Sequence, residues 1–121
     1  MRTFSITAVE VELDIFSGMP NPVWTLADAQ SSAFVAKLSA LRGTEARPRS
    51  DGLGYRGLIV RIRQGTGREV RVRGGLVEII DGSEGASTFL SDPDRGLERW
   101  LLSTGRRFVD DHIFRRIDVD R

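Results

Sequence analysis

Apolar and acidic residues alternate near the start of the chain. Between positions 9 and 15, four aliphatic side chains are separated by three carboxylates, in the order Val9, Glu10, Val11, Glu12, Leu13, Asp14 and Ile15. Side chains two residues apart lie on the same face of a strand. The segment is therefore predicted to be a half-buried strand with an acidic outer face.

Two later alternating segments, "LIVRI" and "EVRV", predict a hairpin. Opposed residues on paired strands share a face. Pairing Ile62 with Val70 and Val60 with Val72 keeps the faces consistent and the loop short. This register leaves a glycine-rich tip at Gly65-Thr66-Gly67.

The strand that follows needs a change of phase at Gly74-Gly75. A bulge inserts one residue into a strand and reverses which side chains point inward. A bulge here would turn Val77 and Ile79 inward and Glu78 outward, as their polarity requires.

After the first strand, apolar residues recur with the spacing of a helix. Thr25 is predicted to cap the first helix and Gly43 to lie just after its end. Its apolar stripe is formed by Leu26, Phe34, Leu38 and Leu41.

A second helix is predicted after "SDPD", with Asp92 as the cap, Pro93 at the first helical position and Gly105 at the end. Its stripe contains Leu97, Trp100 and Leu101, and Trp100 is interpreted as a core residue. Ile113 and Ile117 lie in phase for a short C-terminal helix.

The order of strand, helix, hairpin and helix predicts an α+β fold. We expect one domain over residues 1–121, with an antiparallel sheet of three or more strands packed against two or three helices. A content of 40% hydrophobic and 29% charged residues agrees with a globular chain.

Composition excludes several classes of function. The chain has no cysteine and one histidine, which argues against a zinc site and excludes disulfides. No apolar run approaches a membrane span, and the N-terminus does not look like a signal peptide, so a cytoplasmic protein without a membrane partner is expected. A net charge of +1 gives no general attraction to nucleic acid. A homo-oligomer is left open.

Arginine supplies 17 of the 18 basic residues, and four arginines share the outer face of the hairpin with Glu69, namely Arg61, Arg63, Arg71 and Arg73. In the predicted register Arg61 opposes Arg71, which is unfavourable unless an anion neutralises the pair. The face is either an anion platform or an ionic surface paired with the carboxylates of the first strand. No aromatic residue interleaves these arginines, so nucleic-acid binding is not favoured.

Known phosphate motifs do not fit. "GLGYRG", from Gly52 to Gly57, matches G-x-G-x-x-G but lacks the preceding strand and following helix of a dinucleotide site. There is no P-loop, and no cofactor is implied. Asp92, Asp94 and the "DGSE" turn could bind magnesium or calcium, but capping and turn chemistry explain these acids adequately without a metal.

Three residues are candidates for acid–base catalysis. Tyr55 lies at a strand start, Glu98 is predicted on the outer side of the second helix, and His112 follows two aspartates. The favoured interpretation of His112 is a surface histidine, because neighbours in sequence do not face each other on a helix.

The stretch "DIFSGMPNPVW" is the leading candidate for a ligand site. Prolines on both sides constrain Asn21, whose amide can donate and accept hydrogen bonds. Trp24 could stack on a ligand and Arg56 could bind an anionic group. The same residues are equally explained as a rigid connection with a buried tryptophan.

Three blocks resemble a family of small bacterial proteins of unknown function with an FSGRPNPxW motif. They are "LDIFSGMPNPVWTL", "GYRGLIV" and "LERWLLSTG", and Met19 stands where the motif has arginine. The resemblance implies that the blocks matter together and suggests a role in actinobacterial specialised metabolism.

The first functional hypothesis is a protein that binds an anionic small molecule between the proline loop and the "GYRG" strand start, with catalysis of the cyclase or isomerase type left open. The alternative is a peptide-binding module that uses the loop or a strand edge. A nucleic-acid binder is the third and least favoured hypothesis.

Overall fold

The computed structural model describes residues 8–16, 18–48, 55–63, 67–81 and 85–119. Within these ranges the chain has the predicted α+β fold, with a seven-stranded antiparallel sheet and three helices. Gly52 of the "GLGYRG" segment, most of the "DGSE" turn and residues 65–66 of the predicted hairpin tip lie outside them.

The strands follow the chain in the order β1 (Ala8–Leu13), β2 (Val23–Thr25), β3 (Arg42–Gly43), β4 (Leu58–Arg63), β5 (Arg68–Arg73), β6 (Leu76–Asp81) and β7 (Ser87–Ser91). The helices are α1 (Asp28–Ser39), α2 (Gly96–Thr104) and α3 (Asp111–Val119), with a 3-10 turn at Pro93–Arg95 before α2. The spatial order of the strands is β2-β1-β4-β5-β6-β7-β3. None of the helices in the described ranges is long and apolar enough to span a membrane.

One face of the sheet is apolar and is buried in a single core with side chains of the three helices. The strands contribute Val9, Val11, Leu13, Leu58, Val60, Val70, Val72 and Val77, and the helices contribute Phe34, Leu38, Leu97, Leu101, Ile113, Phe114 and Ile117. The opposite face, called here the open face, carries the charged residues of the alternating strands. This two-layer arrangement explains the period of two in β1, β4 and β5.

The predicted hairpin register is wrong by two residues. β4 pairs Val60 with Val70, and the last opposed pair before the loop is Ile62 with Arg68. A shift of two residues keeps each side chain on its predicted face, because the side-chain period of a strand is also two. The pattern of faces is therefore the same in the two registers.

The corrected register removes the like-charge pair. Arg61 opposes Glu69 rather than Arg71, and it also lies opposite Glu10 of β1. Its guanidinium contacts Glu12 at 2.7 Å, and Arg63 lies 3.5 Å from Glu10. The interpretation of an ionic surface paired with the carboxylates of β1 is therefore confirmed for Arg61 and Arg63, whereas Arg71 pairs with Glu69 of its own strand.

Gly74 and Gly75 form a hairpin turn, and the predicted bulge is wrong. Arg73 pairs with Leu76, so the two glycines are the whole connection between β5 and β6. Their φ angles of 61° and 89° suit a two-residue hairpin turn, in which both central residues adopt positive φ. Val77 still faces inward, because it pairs across the turn with the buried Val72.

The limits of α1 differ from the prediction. Thr25 belongs to β2 opposite Glu10, and the helix cap is Ala27, whose N–H donates to Gln30 Oε1 at 2.9 Å. Gly43 lies in β3 opposite Leu90 instead of ending the helix. Pairing with neighbouring strands thus overrides the local capping signals at both ends.

The side chain of Asp92 caps the second helix as predicted, but the predicted start at Pro93 is wrong, because Pro93 begins the 3-10 turn and α2 begins at Gly96. The Asp92 carboxylate accepts hydrogen bonds from the backbone N–H groups of Leu97 at 2.8 Å and Glu98 at 3.1 Å. The predicted C-terminal helix is present as α3, with Ile113 and Ile117 buried.

Gly57 allows a close approach between β4 and β5. Its φ is +100°, and a Cβ there would lie 2.6 Å from the Val72 carbonyl oxygen and 2.7 Å from Arg73 Cβ. We expect Gly57→Ala to lower the free energy of unfolding by about 3 kcal/mol, because it combines an unfavourable φ with a backbone clash. Urea unfolding measures the change.

Gly18→Ala is the matched control. Gly18 also has positive φ, +85°, but nothing lies within 4 Å of the position that an alanine methyl group would take. Its cost should be limited to about 1 kcal/mol. Equal losses in the two variants would contradict the close approach at Gly57.

Candidate functional site

Glu98 is fully buried, so its predicted position on the outer side of α2 is wrong. Its Oε2 accepts a hydrogen bond from the Tyr55 hydroxyl at 2.5 Å, and Gly74 N–H donates to its Oε1 at 2.8 Å. Arg95 donates to both oxygens at 2.9 Å from Nε and Nη2. Four hydrogen bonds therefore occupy the carboxylate, in what we call the Glu98 cluster (Tyr55, Gly74, Arg95 and Glu98).

The cluster fixes the protonation states of its members. Burial alone would raise the pKa of Glu98, but the hydrogen bonds from Arg95, Tyr55 and Gly74 hold it below 4.5. Burial and the adjacent Glu98 charge raise the pKa of Tyr55 well above 10.0. At neutral pH the cluster thus contains a carboxylate and a neutral phenol, and neither group is poised to exchange a proton.

The turn between β5 and β6 is held from both sides. Gly74 N–H donates to Glu98, and the Gly75 carbonyl accepts from Asp92 N–H at 2.8 Å. Asp94 and Arg95, which connect Asp92 to α2, both have φ of 56°. This left-handed conformation costs a non-glycine residue about 1–2 kcal/mol. The Arg95–Glu98 ion pair offsets that cost.

The third catalytic candidate, His112, does not join the cluster. It lies on α3 with an exposed side chain, and its Nδ1 is 3.5 Å from Asp110 Oδ1. The structure therefore brings Tyr55 and Glu98 together and places His112 on the surface.

The predicted ligand-binding residue Asn21 makes hydrogen bonds within its own loop. Its Oδ1 accepts from the backbone N–H groups of Ile15 at 3.1 Å and Phe16 at 2.8 Å. Its Nδ2 donates to Glu12 Oε2 at 2.7 Å. Both ends of the amide thus close the loop onto β1.

Arg56 joins the same loop to the start of β4. Its Nη2 donates to Asp14 Oδ1 at 2.9 Å and to the Phe16 carbonyl at 2.8 Å. Backbone bonds between Asp14 and residues 56–57 reinforce this contact. The space in which the sequence placed an anionic ligand is therefore crossed by a protein ion pair.

Trp24 is a core residue on β2. Its side chain is buried, and Nε1 donates to Thr104 Oγ1 at 2.9 Å. The ring packs so closely on Gly105 that a Cβ at that glycine would lie 2.5 Å from Trp24 Cζ2. An exposed apolar patch around Phe16 and Trp24, which would favour a peptide-binding module, is not formed.

The three sequence blocks contact one another in pairs. Asp14 of the first bonds Arg56 of the second, Tyr55 of the second bonds Glu98 of the third, and Trp24 of the first bonds Thr104 of the third. These contacts give a structural reason for the blocks to occur together. Trp100 is half-buried against the core, with Lys37 Nζ 5.2 Å from its ring centroid.

A cleft of about 280 Å³ lies at one end of the sheet, where no site was predicted. It is enclosed by the segment after β3, the β5–β6 turn and the end of β7, with Thr44, Ala46, Arg47, Pro48, Arg73, Gly74, Gly75, Leu76 and Ser91 as its lining. The paired glycines and Arg73 were visible in the sequence. Their convergence with Arg47 depends on the position of β3 beside β7, which local patterns do not reveal.

Arg47 is held against the cleft without a carboxylate partner in the described part of the chain. Its Nη1 donates to the carbonyls of Glu45 at 3.0 Å and Ala46 at 2.9 Å. Its guanidinium carbon is 4.3 Å from the centroid of the Phe89 ring. The positive charge is therefore oriented but not neutralised by these contacts.

Among the described residues, no group of three or more acidic or histidine side chains is placed to hold a metal ion. Comparison with protein-family models, curated proteins and solved structures found no match. The family resemblance of the three blocks therefore stays a prediction.

Glu98→Gln should be strongly destabilising, because it leaves Arg95 without a buried counter-charge. We expect a loss of about 3–5 kcal/mol in the free energy of unfolding at neutral pH. The exposed pair Arg71–Glu69 provides a control, and Glu69→Gln should cost below about 1 kcal/mol. Chemical denaturation of both variants measures the difference.

The same variant tests the pKa of Glu98. A carboxylate with a lowered pKa stabilises the folded state above pH 4.5, and that contribution disappears as pH falls through the folded-state pKa. The difference in stability between wild type and Glu98→Gln should therefore shrink in acid. A difference that does not change between neutral and strongly acidic pH would contradict the assignment.

Tyr55→Phe should cost about 1.5–3 kcal/mol at neutral pH, since it removes a hydrogen bond to a charged group. Above pH 10.0 the unfolded wild type ionises Tyr55 while the folded protein keeps it protonated. The free energy of unfolding of wild type then falls with rising pH, so the difference in stability between wild type and Tyr55→Phe becomes smaller.

Tyr55 is the only tyrosine of the chain, so tyrosinate absorbance reports its ionisation directly. The absorbance should appear together with unfolding rather than before it. Ionisation near pH 10.0 in protein that remains folded would show that the hydroxyl is not buried against Glu98.

Proposed function

We propose that the protein binds a small anionic molecule in the cleft between the segment after β3 and the β5–β6 turn. The observation that carries the proposal is the oriented Arg47 guanidinium, which has no carboxylate partner among the described residues. A bound carboxylate or phosphate would supply the missing negative charge.

The other walls of the cleft suit the same class of ligand. Arg73 adds a second positive charge, and Ser91 and Thr44 are polar residues of the lining. A volume of about 280 Å³ is near the lower end for small-molecule sites, which favours a compact metabolite. As the sequence resemblance suggests, such a molecule would belong to specialised metabolism.

Binding is supported more strongly than catalysis of the cyclase or isomerase type. The Glu98 carboxylate accepts four hydrogen bonds from three residues of the protein, and Tyr55 holds its proton more firmly than a free phenol. His112 lies on the surface beside Asp110. Proton transfer in the cleft would need a group that these three residues do not provide.

The alternative of a peptide-binding module has less support. Trp24 is buried, and the loop hydrogen bonds of Asn21 hold the proline segment against β1. The exposed large apolar residues in this region are Met19 in the loop and Val23 on the edge strand β2. Scattered apolar residues of this kind are normal on protein surfaces.

A thermal-shift titration tests the proposal with inorganic phosphate, citrate and a sugar phosphate as probes. A probe present at about 100 times its Kd should raise the Tm of wild type by roughly 10 °C. Arg47→Gln and Arg73→Gln should each weaken binding at least about tenfold, because each removes a charge from the cleft.

Two controls locate the site. Arg63→Gln changes an exposed arginine at the distant end of the open face and should leave the shift intact. Arg56→Gln tests the proline loop ("DIFSGMPNPVW"), where the sequence analysis placed the ligand. If the rise in Tm is lost only in Arg56→Gln, the ligand binds at that loop and not in the cleft. If none of the three probes raises the Tm of wild type, the proposal that the cleft binds a small anion of this kind is rejected.

A further inference from the structure

A second group of arginines surrounds the turn between α2 and α3. We define the arginine surface as Arg106, Arg107, Phe108, Arg115 and Arg116, all of which are exposed. In the described part of the chain, no carboxylate forms an ion pair with any of the four arginines. This differs from the open face, where Arg61 and Arg71 are paired.

Three of the four arginines of this surface make cation–π contacts with aromatic rings. The guanidinium carbon of Arg106 lies 4.5 Å from the centroid of Phe114, and that of Arg107 lies 5.8 Å from the centroid of Phe108. That of Arg116 lies 5.9 Å from the centroid of Phe16. A cation–π contact of this kind positions a guanidinium without using the hydrogen-bonding capacity of its N–H groups.

Phe108 is the exposed aromatic of the group. Its exposed fraction is 59%, and the backbone bonds of residues 108 and 109 to the Gly105 carbonyl hold it in the compact turn. An exposed ring in a hydrogen-bonded turn, beside arginines that have no carboxylate partner among the described residues, combines a stacking surface with positive charge. These are the two elements with which proteins bind single-stranded nucleic acid.

We infer that the arginine surface binds single-stranded nucleic acid, with the arginines contacting phosphates and Phe108 stacking on a base. The inference is independent of the cleft, which shares no residue with this surface.

The surface suits nucleic acid better than a membrane or an acidic protein. Ile113, Phe114 and Ile117 of α3 are buried in the core and cannot enter a bilayer. An acidic peptide would neutralise the arginines but leave the flat ring of Phe108 without a partner. Asp110 and Asp111 lie near the start of α3, where the helix dipole favours acidic side chains.

Fluorescence anisotropy with a labelled single-stranded oligonucleotide of mixed sequence tests the inference at low salt. Four phosphate contacts would give a slope of log K against log salt of about −3. Arg107→Gln should reduce the magnitude of that slope by the share of one phosphate contact, about 0.7. Phe108→Ala should weaken binding roughly fivefold or more without changing the slope.

Arg68→Gln is the matched control, because Arg68 is an exposed arginine on the hairpin, remote in sequence from this surface. Its affinity and salt slope should equal those of wild type, and circular dichroism should show that all variants are folded. A poly-glutamate peptide and anionic phospholipid vesicles are tested in parallel.

Binding of the oligonucleotide that weakens in both surface variants and not in Arg68→Gln supports the inference. It is overturned by the absence of binding at low salt, or by equal binding in wild type and Phe108→Ala. It is also overturned if poly-glutamate or the vesicles bind as tightly as the oligonucleotide.

Discussion

The burial of one carboxylate, that of Glu98, constrains how the elements at one end of the sheet are arranged. A carboxylate removed from water is tolerated only when each of its acceptor sites has a donor. The donors come from the start of β4, the β5–β6 turn and the residue before α2. The position of α2 on the sheet is therefore fixed by polar geometry as well as by the packing of Leu97 and Leu101. The left-handed backbone at Arg95 follows from the same requirement, because it directs the guanidinium back toward the carboxylate.

The abundance of arginine has different explanations in different parts of the molecule. On the open face, Arg61 and Arg63 complement the carboxylates of β1, and the alternation of sign across strands makes that face a solvated ionic surface. Arg95 is the counter-ion of a buried acid. Arg47 in the cleft and the four cations of the arginine surface have no such partner among the described residues. The distinction depends on neighbours and cannot be drawn from composition.

Much of the fold could be predicted because it depends on local periodicity. The alternation in β1 determined its buried and open faces, and Asp92 was recognisable as the side-chain cap of the second helix, although the helix begins later than predicted. The β4–β5 register was missed because a shift of two residues preserves every face, so the pattern cannot distinguish Val60 opposite Val70 from Val60 opposite Val72. Glu98 was missed for another reason. It lies beside the apolar stripe of α2, and its partners Gly74 and Tyr55 are 24 and 43 residues away in the chain. The cleft was missed because Arg47 meets Arg73 only through the pairing of β3 with β7.

The contacts that hold the proline loop belong to the same scaffold that positions the cleft. Arg56 and Trp24 use their polar groups to join the sequence blocks, and Asn21 closes the loop of the first block, so all three hold the scaffold together. The β5–β6 turn gains from this scaffold, since Glu98 and Asp92 hold both of its glycines from the helix side. Arg73 and Gly75 consequently enter the cleft from a fixed turn, and little conformational entropy remains to be lost when a ligand binds there. The residues that looked most like a site in the sequence thus help to preorganise the cleft in which we propose that the ligand binds.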